Sequence, residues 1–344
     1  AGFAIKDSIS ALIVKQFEQI QKSDITIMYD GSDTAELISD NDKITDSISL
    51  YQNTVTVSAD NNGESVEKEN IYINVVDDVV KFQDYITLRK RNTNKTYQLE
   101  DDGICITEKL AKDLDVKSGD YINIQDNDQI HTFKVSHIVE MYTNNYVYMT
   151  ADLYNKMYDS VPVFNCMYAK ITDNSDDIQN ILGRELLDIN GVKGVLFSTS
   201  NISKFNDMIS TMNLVTYILI ISAAALSFVV LYNLTNVNVS ERIREIATIK
   251  VLGFYDKEVE SYVYRENLII TFIGAFAGLF LGMALHNYIM HTIEMDNVMF
   301  GNAVTPLTFI LSYLITILFS FTVNFAMNNK LKKIPMVESL KAVE

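Results

Sequence analysis

The residue types able to do chemistry are few in this sequence, and none of them forms a recognisable catalytic set. His131 and His137 are six positions apart on a predicted strand, so their side chains point to the same face. Two imidazoles alone are a poor metal site, and we interpret both as surface or packing histidines. Asp126-Asn127-Asp128 begins like a calcium-binding loop but lacks the glycine and the distal glutamate, so we predict a turn. We predict no bound metal and no cofactor.

The two cysteines leave two interpretations open. Cys105 and Cys166 would be able to form a disulfide if they lie outside the cytoplasm, and two small buried thiols fit the sequence equally well. No Gly-x-Ser-x-Gly elbow, His-Glu-x-x-His helix or Gly-rich phosphate loop occurs in the sequence. We therefore predict that the chain is not an enzyme. If ATP hydrolysis drives it, the hydrolysis takes place in another chain.

Long uncharged segments then define the elements that must position any functional residue. Three segments contain no Asp, Glu, Lys or Arg, and they cover residues 208–240, 267–293 and 297–329. A spanning helix needs about 20 predominantly apolar residues, so each segment is long enough to cross a membrane. We predict transmembrane helices at 208–233, 266–290 and 306–329. A buried soluble helix would match one such segment, but three in one chain indicate a membrane protein in contact with lipid. The absence of charge within them argues against an ion-coupled transporter.

Most of the charge lies in the N-terminal part of the chain. The first 207 residues contain 34 of the 44 acidic residues and 19 of the 28 basic ones, an excess of acid that argues against a nucleic-acid partner. From residue 22 onward, short alternating runs predict strands at 24–30, 47–59 and 70–77. A strand at 104–106, a helix capped by Thr107, a hairpin of 121–125 with 131–139, and a helix within 173–190 follow. We predict an α+β domain over 22–205.

Basic residues in the short connecting segments predict the topology. The loop 234–265 and the tail 330–344 contain the basic residues of this half, namely Arg242, Arg244, Lys250, Lys257, Arg265, Lys330, Lys332, Lys333 and Lys341. The loop 291–305 contains no Lys or Arg. By the positive-inside rule the first loop and the tail are cytoplasmic, and the short loop and the large N-terminal domain are on the outer side of the membrane.

The first 21 residues are predicted to be a helix leaving an earlier span. An outside domain with neither a leader nor a preceding span is unusual, so we expect the sequence to be a fragment, with a fourth transmembrane helix before residue 1. The apolar side chains of this helix fall roughly on one face, at Ile5, Ile9, Leu12, Ile13 and Phe17.

The cytoplasmic loop contains a short charged helix, predicted from an N-cap at Ser240 to a terminating Gly253. Its predicted apolar face is Ile243, Ile246, Ala247 and Val251, interrupted by Lys250, and its predicted polar face is Glu241, Arg244, Glu245 and Thr248. One interpretation is an amphipathic helix on the membrane surface that only connects two spans. The other is a docking helix for a cytoplasmic partner, which the mixed charge favours because a helix on anionic lipid would contain mostly Lys and Arg.

Small residues recur in the second span. Gly274, Gly278 and Gly282 repeat a small-xxx-small spacing that lets a neighbouring helix approach closely. Glycine is also common in spanning helices, so background composition explains the pattern equally well.

The segment 241–282 resembles the FtsX-like permease domain of the MacB-type ABC transporters. The residues that match the family pattern are Arg242, Glu245, Ile246, Ala247, Lys250, Gly253, Glu266, Gly274, Gly278 and Gly282. Members of this family have four spans per unit, with the outer domain between the first two. The resemblance implies that this chain is the C-terminal unit or a fragment of a longer permease.

By this resemblance, the helix between the second and third spans contacts an ABC ATPase subunit. It implies an ATPase-coupling role for Glu241, Arg242, Arg244, Glu245, Ile246, Lys250 and Gly253, and a second permease unit as a further partner. The implied function is mechanotransmission: ATP hydrolysis in the partner moves the outer domain, which acts on a peptide, a lipoprotein, a lipid-linked compound or a cell-wall enzyme. The alternative is a membrane-anchored receptor or scaffold without ATP coupling.

Overall fold

The chain folds into two units. A computed structural model describes residues 2–61, 64–126, 129–292, 297–301 and 304–332. One unit comprises residues 1–8, 209–293 and 302–344, and we call it the membrane unit. The other comprises residues 9–208 and 294–301, and we call it the α+β unit. The predicted positions 127–128, 293–296, 302–303 and 333–344 of the hairpin turn, the short loop and the tail lie outside the described residues.

The described residues of the α+β unit contain nine strands, six of which the sequence predicts. They are β1 Ile25–Tyr29, β2 Ile44–Asn61, β3 Glu64–Val76, β4 Ile104–Thr107, β5 Tyr121–Asp126, β6 Gln129–Val139, β7 Tyr146–Thr150, β8 Cys166–Ile171 and β9 Val192–Phe197. Its short helices are α2 Ser32–Ser39, α3 Val79–Phe82, α4 Glu108–Asp113, α5 Ala151–Tyr158 and α6 Asp176–Asp188. The predicted α+β class is confirmed. The elements absent from the prediction are α2, α3, β7, α5, β8 and β9.

Six of the strands close into a ring. The order β3-β7-β4-β6-β5-β2 is completed by pairing of β2 with β3 along most of their length. Each strand of the ring contributes a fully buried side chain to a common core, namely Val57, Ile73, Ile106, Ile124, Val135 and Val147. Closure pairs every strand on both sides, so the ring has no free edge.

The rest of the sheet is an open extension from β2. The N-terminal part of β2 pairs with β8, β8 pairs with β1, and β1 pairs with β9. Ile27 and Met167 of this sheet pack with Ile38 of α2 and with Leu182 and Leu186 of α6. The 18-residue length of β2 lets one strand belong to both parts.

The first helix has a different buried face from the predicted one. α1 covers Gly2–Ile13 and continues as a π-helical segment, Val14–Ile20. Of the five apolar side chains predicted to share one face, Ile9 and Leu12 are buried, whereas Ile5, Ile13 and Phe17 are only partly buried. Phe17 lies within the π-helical segment, whose wider turn shifts the side-chain register. Gln16 is completely buried there.

The membrane unit contains three helices long and apolar enough to span a membrane among the described residues. α7 is Ser198–Glu241, α8 is Ile243–Val251, α9 is Asp256–Thr292 and α10 is Pro306–Lys332. The apolar stretches within α7, α9 and α10 are Asn213–Glu241, Leu268–Thr292 and Pro306–Val323. The three predicted spans are therefore confirmed as helices of sufficient length and hydropathy.

Polar contacts join α1 to the starts and ends of these spans. The Asp7 carboxylate accepts hydrogen bonds from Thr305 N–H at 2.9 Å, and from the Thr305 and Thr308 hydroxyls at 2.7 Å each. These contacts satisfy donors in the first turn of α10, where negative charge is favoured. Ser8 Oγ lies 3.2 Å from His286 Nε2 in α9.

Candidate functional site

The candidate site is the segment from Glu241 to Tyr255, between α7 and α9. α7 continues through Ser240, whose hydroxyl donates to Asn236 O inside the helix at 2.8 Å. The chain breaks its helical path at Arg242, which has φ −100° and ψ 14° and stands as the N-cap of α8. The predicted N-cap at Ser240 is therefore wrong. The Ser240 hydroxyl bonds back to the preceding turn of α7, so Ser240 continues that helix instead of starting a new one.

The end of α8 agrees with the prediction. Gly253 has φ +92°, Gly253 N–H donates to Lys250 O at 3.1 Å, and Phe254 N–H donates to Ile249 O at 3.4 Å. These two bonds form the Schellman motif, in which glycine supplies the left-handed residue after the helix. One turn later, the Glu258 carboxylate accepts from Tyr255 N–H at 2.9 Å and caps the start of α9.

One face of α8 is buried against the helices on either side. Ile246 and Ala247 are completely buried, and Ile246 packs with Val239 of α7 and Val259 of α9. Lys250 is also buried, so this cation belongs to the packed face instead of interrupting it. α8 therefore shares a core with the end of α7 and the start of α9.

The opposite face and the end of α8 are exposed. Glu241, Arg244 and Glu245 of the predicted coupling set are exposed, while Arg242 is partly buried. Val251, predicted to lie on the buried face, is 58% exposed. This prediction is wrong, because the left-handed turn at Gly253 ends the helix before a neighbour covers it.

An apolar rim follows from this geometry, and sequence analysis did not identify it. Its members are Val251, Leu252, Phe254 and Tyr255, with exposed fractions of 58%, 71%, 53% and 78%. The signal was the run Val-Leu-Gly-Phe-Tyr, four apolar residues around a helix-terminating glycine outside the uncharged spans. Ile246 and Lys250 of the predicted coupling set are buried on the packed face of α8. Gly253 forms the left-handed turn between Leu252 and Phe254 of the rim.

The glycines of the second span line an open surface. A Cβ atom placed on Gly274, Gly278 or Gly282 would meet no atom within 4 Å. Among the described residues, no side chain or neighbouring helix packs on these three glycines, so the predicted close approach requires a helix from another chain or from outside the described residues.

The other sequence candidates have packing roles. His137 stacks on Tyr97 with ring centroids 4.0 Å apart, and the ring centroids of His131 and Tyr158 are 4.3 Å apart. Among the described residues there is no group of three or more His, Cys, Asp or Glu side chains able to hold a metal.

The cysteines are separate, buried and free. Burial raises the pKa of each thiol, Cys105 and Cys166, to about 12. Of the two interpretations that the sequence left open, buried thiols are therefore confirmed.

Comparisons with known proteins identify part of the chain. Residues 217–336 match the family model of the FtsX-like permease C-terminal domain, so the predicted resemblance is confirmed over this segment. No curated protein matches the sequence.

Two solved structures align with about half of the chain. The periplasmic region of MacB from Actinobacillus actinomycetemcomitans is 12% identical, with a TM-score of 0.35, and the match covers 56% of this chain and 97% of that one. The extracellular domain of the noncanonic ABC-type transporter YknZ from Gram-positive bacteria is 13% identical, with a TM-score of 0.33, and the match covers 50% and 98%. At TM-scores this low, the α+β assignment depends on the strands and helices described above.

Proposed function

Because residues 217–336 carry the FtsX-like permease C-terminal domain, we propose that this chain is the permease subunit of an ABC transporter complex and that α8 receives a separate ATPase subunit. The observation that carries the proposal is the apolar rim at the end of α8. Four exposed apolar side chains stand on a hydrogen-bonded turn that is fixed to the ends of two spans.

The rim has the composition of a protein-binding surface. Burying an exposed Val, Leu or Phe side chain contributes roughly 1.5–3 kcal/mol, and aromatic residues are frequent among the residues that dominate binding. Exposed charges at Glu241, Arg244 and Glu245 precede it in the same segment, and a typical interface likewise combines an apolar core with polar residues.

Adhesion of α8 to the membrane surface is the weaker explanation. Glu241, the last residue of α7, is exposed, and so are Glu245 and Arg244 of α8. An anionic lipid surface attracts clustered Lys and Arg and repels carboxylates, so this face of α8 gains little from lipid headgroups. A folded partner with charges of both signs fits it better.

The packing of α8 supports mechanotransmission as the mode of action. Ile246 shares its core with Val239 and Val259, so a force on the rim reaches two spans at once. α7 covers Ser198–Glu241 and so contains residues of both units. In this proposal the ATPase is cytoplasmic, the α+β unit is outside, as the basic loop residues favour, and ATP-driven motion acts on an outside peptide, lipoprotein, lipid-linked compound or cell-wall enzyme.

A second permease unit is the proposed partner for the open glycine surface. Without Cβ atoms at Gly274, Gly278 and Gly282, another spanning helix could approach the α9 backbone closely. The match to the FtsX-like domain supports a complex containing more than one such unit.

Co-purification with an ABC ATPase tests the proposal. The full chain is purified from its native membrane in detergent and bound proteins are identified by mass spectrometry. We expect an ABC ATPase to be present, and we expect Tyr255→Ala combined with Phe254→Ala to reduce it at least tenfold. Tyr121→Ala is the matched control, because Tyr121 is a similarly exposed tyrosine, at 63%, in the α+β unit.

The alternative is a receptor or scaffold without ATP coupling. If no ATPase co-purifies with the wild-type chain, this alternative replaces the proposal. If an ATPase co-purifies equally with the double rim variant and with Glu245→Arg, the complex exists but α8 is not its docking site.

A further inference from the structure

Residues 297–301, between α9 and α10, belong to the α+β unit and pair with it through their backbone. Asn144 N–H donates to Asn297 O at 2.7 Å, and Met299 N–H donates to Tyr142 O at 2.9 Å. These bonds flank an antiparallel bridge between Thr143 and Val298. A connection between two spans thus adds a short strand to residues 142–144 of the α+β unit.

Side chains of this connection are buried at the same place. Met299 is 4% exposed and Phe300 is 9% exposed. A Cβ atom on Gly301 would lie 3.6 Å from the Tyr142 ring. The paired segment 297–301, which we call the clip, is therefore packed as well as hydrogen-bonded.

A buried ionic cluster lies beneath the clip. The Tyr142 hydroxyl donates to the Glu140 carboxylate, which also accepts from Arg89 Nε at 2.7 Å and lies 3.9 Å from Lys15 Nζ. Glu140 and Tyr142 are only 2% and 1% exposed. The Arg91 guanidinium is 5.5 Å from the centre of the Tyr142 ring. Arg89 compensates the buried carboxylate through a short contact, and Lys15 does so at longer range.

The π-helical segment is fastened to the same residues. Tyr142 N–H donates to Gln16 Oε1 at 2.9 Å, and Gln16 Nε2 lies 3.1 Å from Met141 Sδ. Tyr142 therefore uses its N–H for the π-helical segment, its carbonyl for the clip and its hydroxyl for Glu140. One residue links three parts of the chain.

We propose that this junction, residues 140–144 with the clip and Gln16, passes movement of the α9–α10 connection into the α+β unit. The role in transmission rests on the proposed function, since that supplies the movement. The clip belongs to the α+β unit and is joined in sequence to α9 and α10 of the membrane unit. Directional hydrogen bonds and buried ion pairs fix a geometry more strictly than apolar contact would, because any slip leaves buried polar groups unpaired.

A designed disulfide tests the attachment. Residues 143 and 298 form a non-hydrogen-bonded pair, for which the Cα separation is about 4.5 Å, within the range of roughly 4.4–6.8 Å that a disulfide accepts. We expect Thr143→Cys with Val298→Cys to form an intramolecular disulfide in the full chain under mild oxidant. Each single variant is the control, and the buried Cys105 and Cys166 thiols stay reduced. Failure of the double variant to cross-link overturns the attachment.

Hydrogen exchange tests the junction beneath the clip. Tyr142→Phe removes one hydroxyl and keeps the ring and both backbone bonds, so the chain should still fold. We expect the Met299 and Asn144 amides to exchange at least tenfold faster in this variant than in the wild type. Unchanged protection would overturn the role of the Tyr142–Glu140 contact.

Transmission is measured as the ATP-dependent change in hydrogen exchange of the α+β unit when the ATPase is bound. We expect Tyr142→Phe to reduce this change at least threefold with ATPase binding unaltered, and the 143–298 disulfide to restore it in the same variant. An ATP response that persists in Tyr142→Phe despite faster Met299 exchange overturns transmission by the clip. If the ATPase never binds, the proposed function fails and transmission with it, whereas the disulfide and exchange results still decide the attachment.

Discussion

Replacing Gly253 tests whether the turn at the end of α8 positions the apolar rim. Gly253 has φ +92°, a conformation that L-residues with a Cβ atom adopt at a cost of about 1–2 kcal/mol. No atom lies within 4 Å of a Cβ placed there, so Gly253→Ala introduces no steric clash. The whole effect is therefore conformational.

The expected magnitude follows from two opposing terms. The left-handed penalty of about 1–2 kcal/mol is partly offset by about 0.4–1 kcal/mol, because alanine restricts the unfolded chain more than glycine does. A net cost of about 1 kcal/mol corresponds to roughly a fivefold change in an equilibrium. This cost shifts the equilibrium between the formed and the broken Schellman turn, and breaking the turn would change the direction of Phe254 and Tyr255.

The assay is ATPase binding to the full chain in lipid nanodiscs, with thermal unfolding measured on the same sample. We expect Gly253→Ala to weaken binding about twofold to fivefold, since a smaller fraction of molecules would present the rim correctly. Gly253→Asn is the matched control, because asparagine adopts left-handed conformations more readily, and it should bind close to wild type. Binding by Gly253→Ala that equals wild type, or Gly253→Asn that is as weak as Gly253→Ala, would refute the reasoning.

Three further predictions concern other parts of the chain. Cys105 and Cys166, whose pKa burial raises to about 12, should resist maleimide at pH 7.5 until the protein is unfolded, and labelling of the native chain would contradict their burial. Gly278→Leu should leave the thermal stability of the isolated chain unchanged, because the described residues leave the site open. The same variant should weaken assembly with a second unit, measured by gel filtration. Assembly equal to that of the wild type would show that the glycine spacing reflects only background composition. Burial tends to raise the pKa of Asp7, but hydrogen bonds from Thr308 and Thr305 outweigh it and lower the pKa below 3.8. The ionised Asp7 therefore adds to the free energy of unfolding above pH 3.8, and this stabilisation is lost as the pH falls through the lowered pKa. Asp7→Asn should unfold at a lower temperature than wild type at pH 6 and converge with it at low pH, and parallel curves would exclude this linkage.

Much of the α+β unit was predictable from local patterns. Alternation identified β1, β2, β3 and the β5–β6 hairpin, because one side of each strand is buried. β7 and β8 were not identified, since they are buried on both sides and lack alternation. The closure of six strands into a ring depends on pairings between distant residues, such as Tyr72 with Tyr146, which no local pattern contains.

The candidate site was predictable in position but not in its surfaces. The sequence located α8 and its final glycine, because glycine after a periodic apolar run is a local signal. It misplaced the helix start at Ser240 and put Val251 on the buried face. Which side of a nine-residue helix is covered depends on the ends of α7 and α9, and their positions are a tertiary property.

The sequence alone therefore determined what one segment can specify by itself. Length and hydropathy are summed along the chain, so the three spans, the acidic N-terminal part and the charged segment between two spans were determined without coordinates. Tertiary structure decided what requires distant segments to meet. Three features arise from such contacts: the ion pairs of Glu140 with Arg89 and Lys15, the hydrogen bond of Gln16 to Tyr142, and the pairing of the clip with residues 142–144. Their formation depends on the free energy of the whole fold, because a charge can be buried only where the fold also places its ion-pair and hydrogen-bond partners beside it.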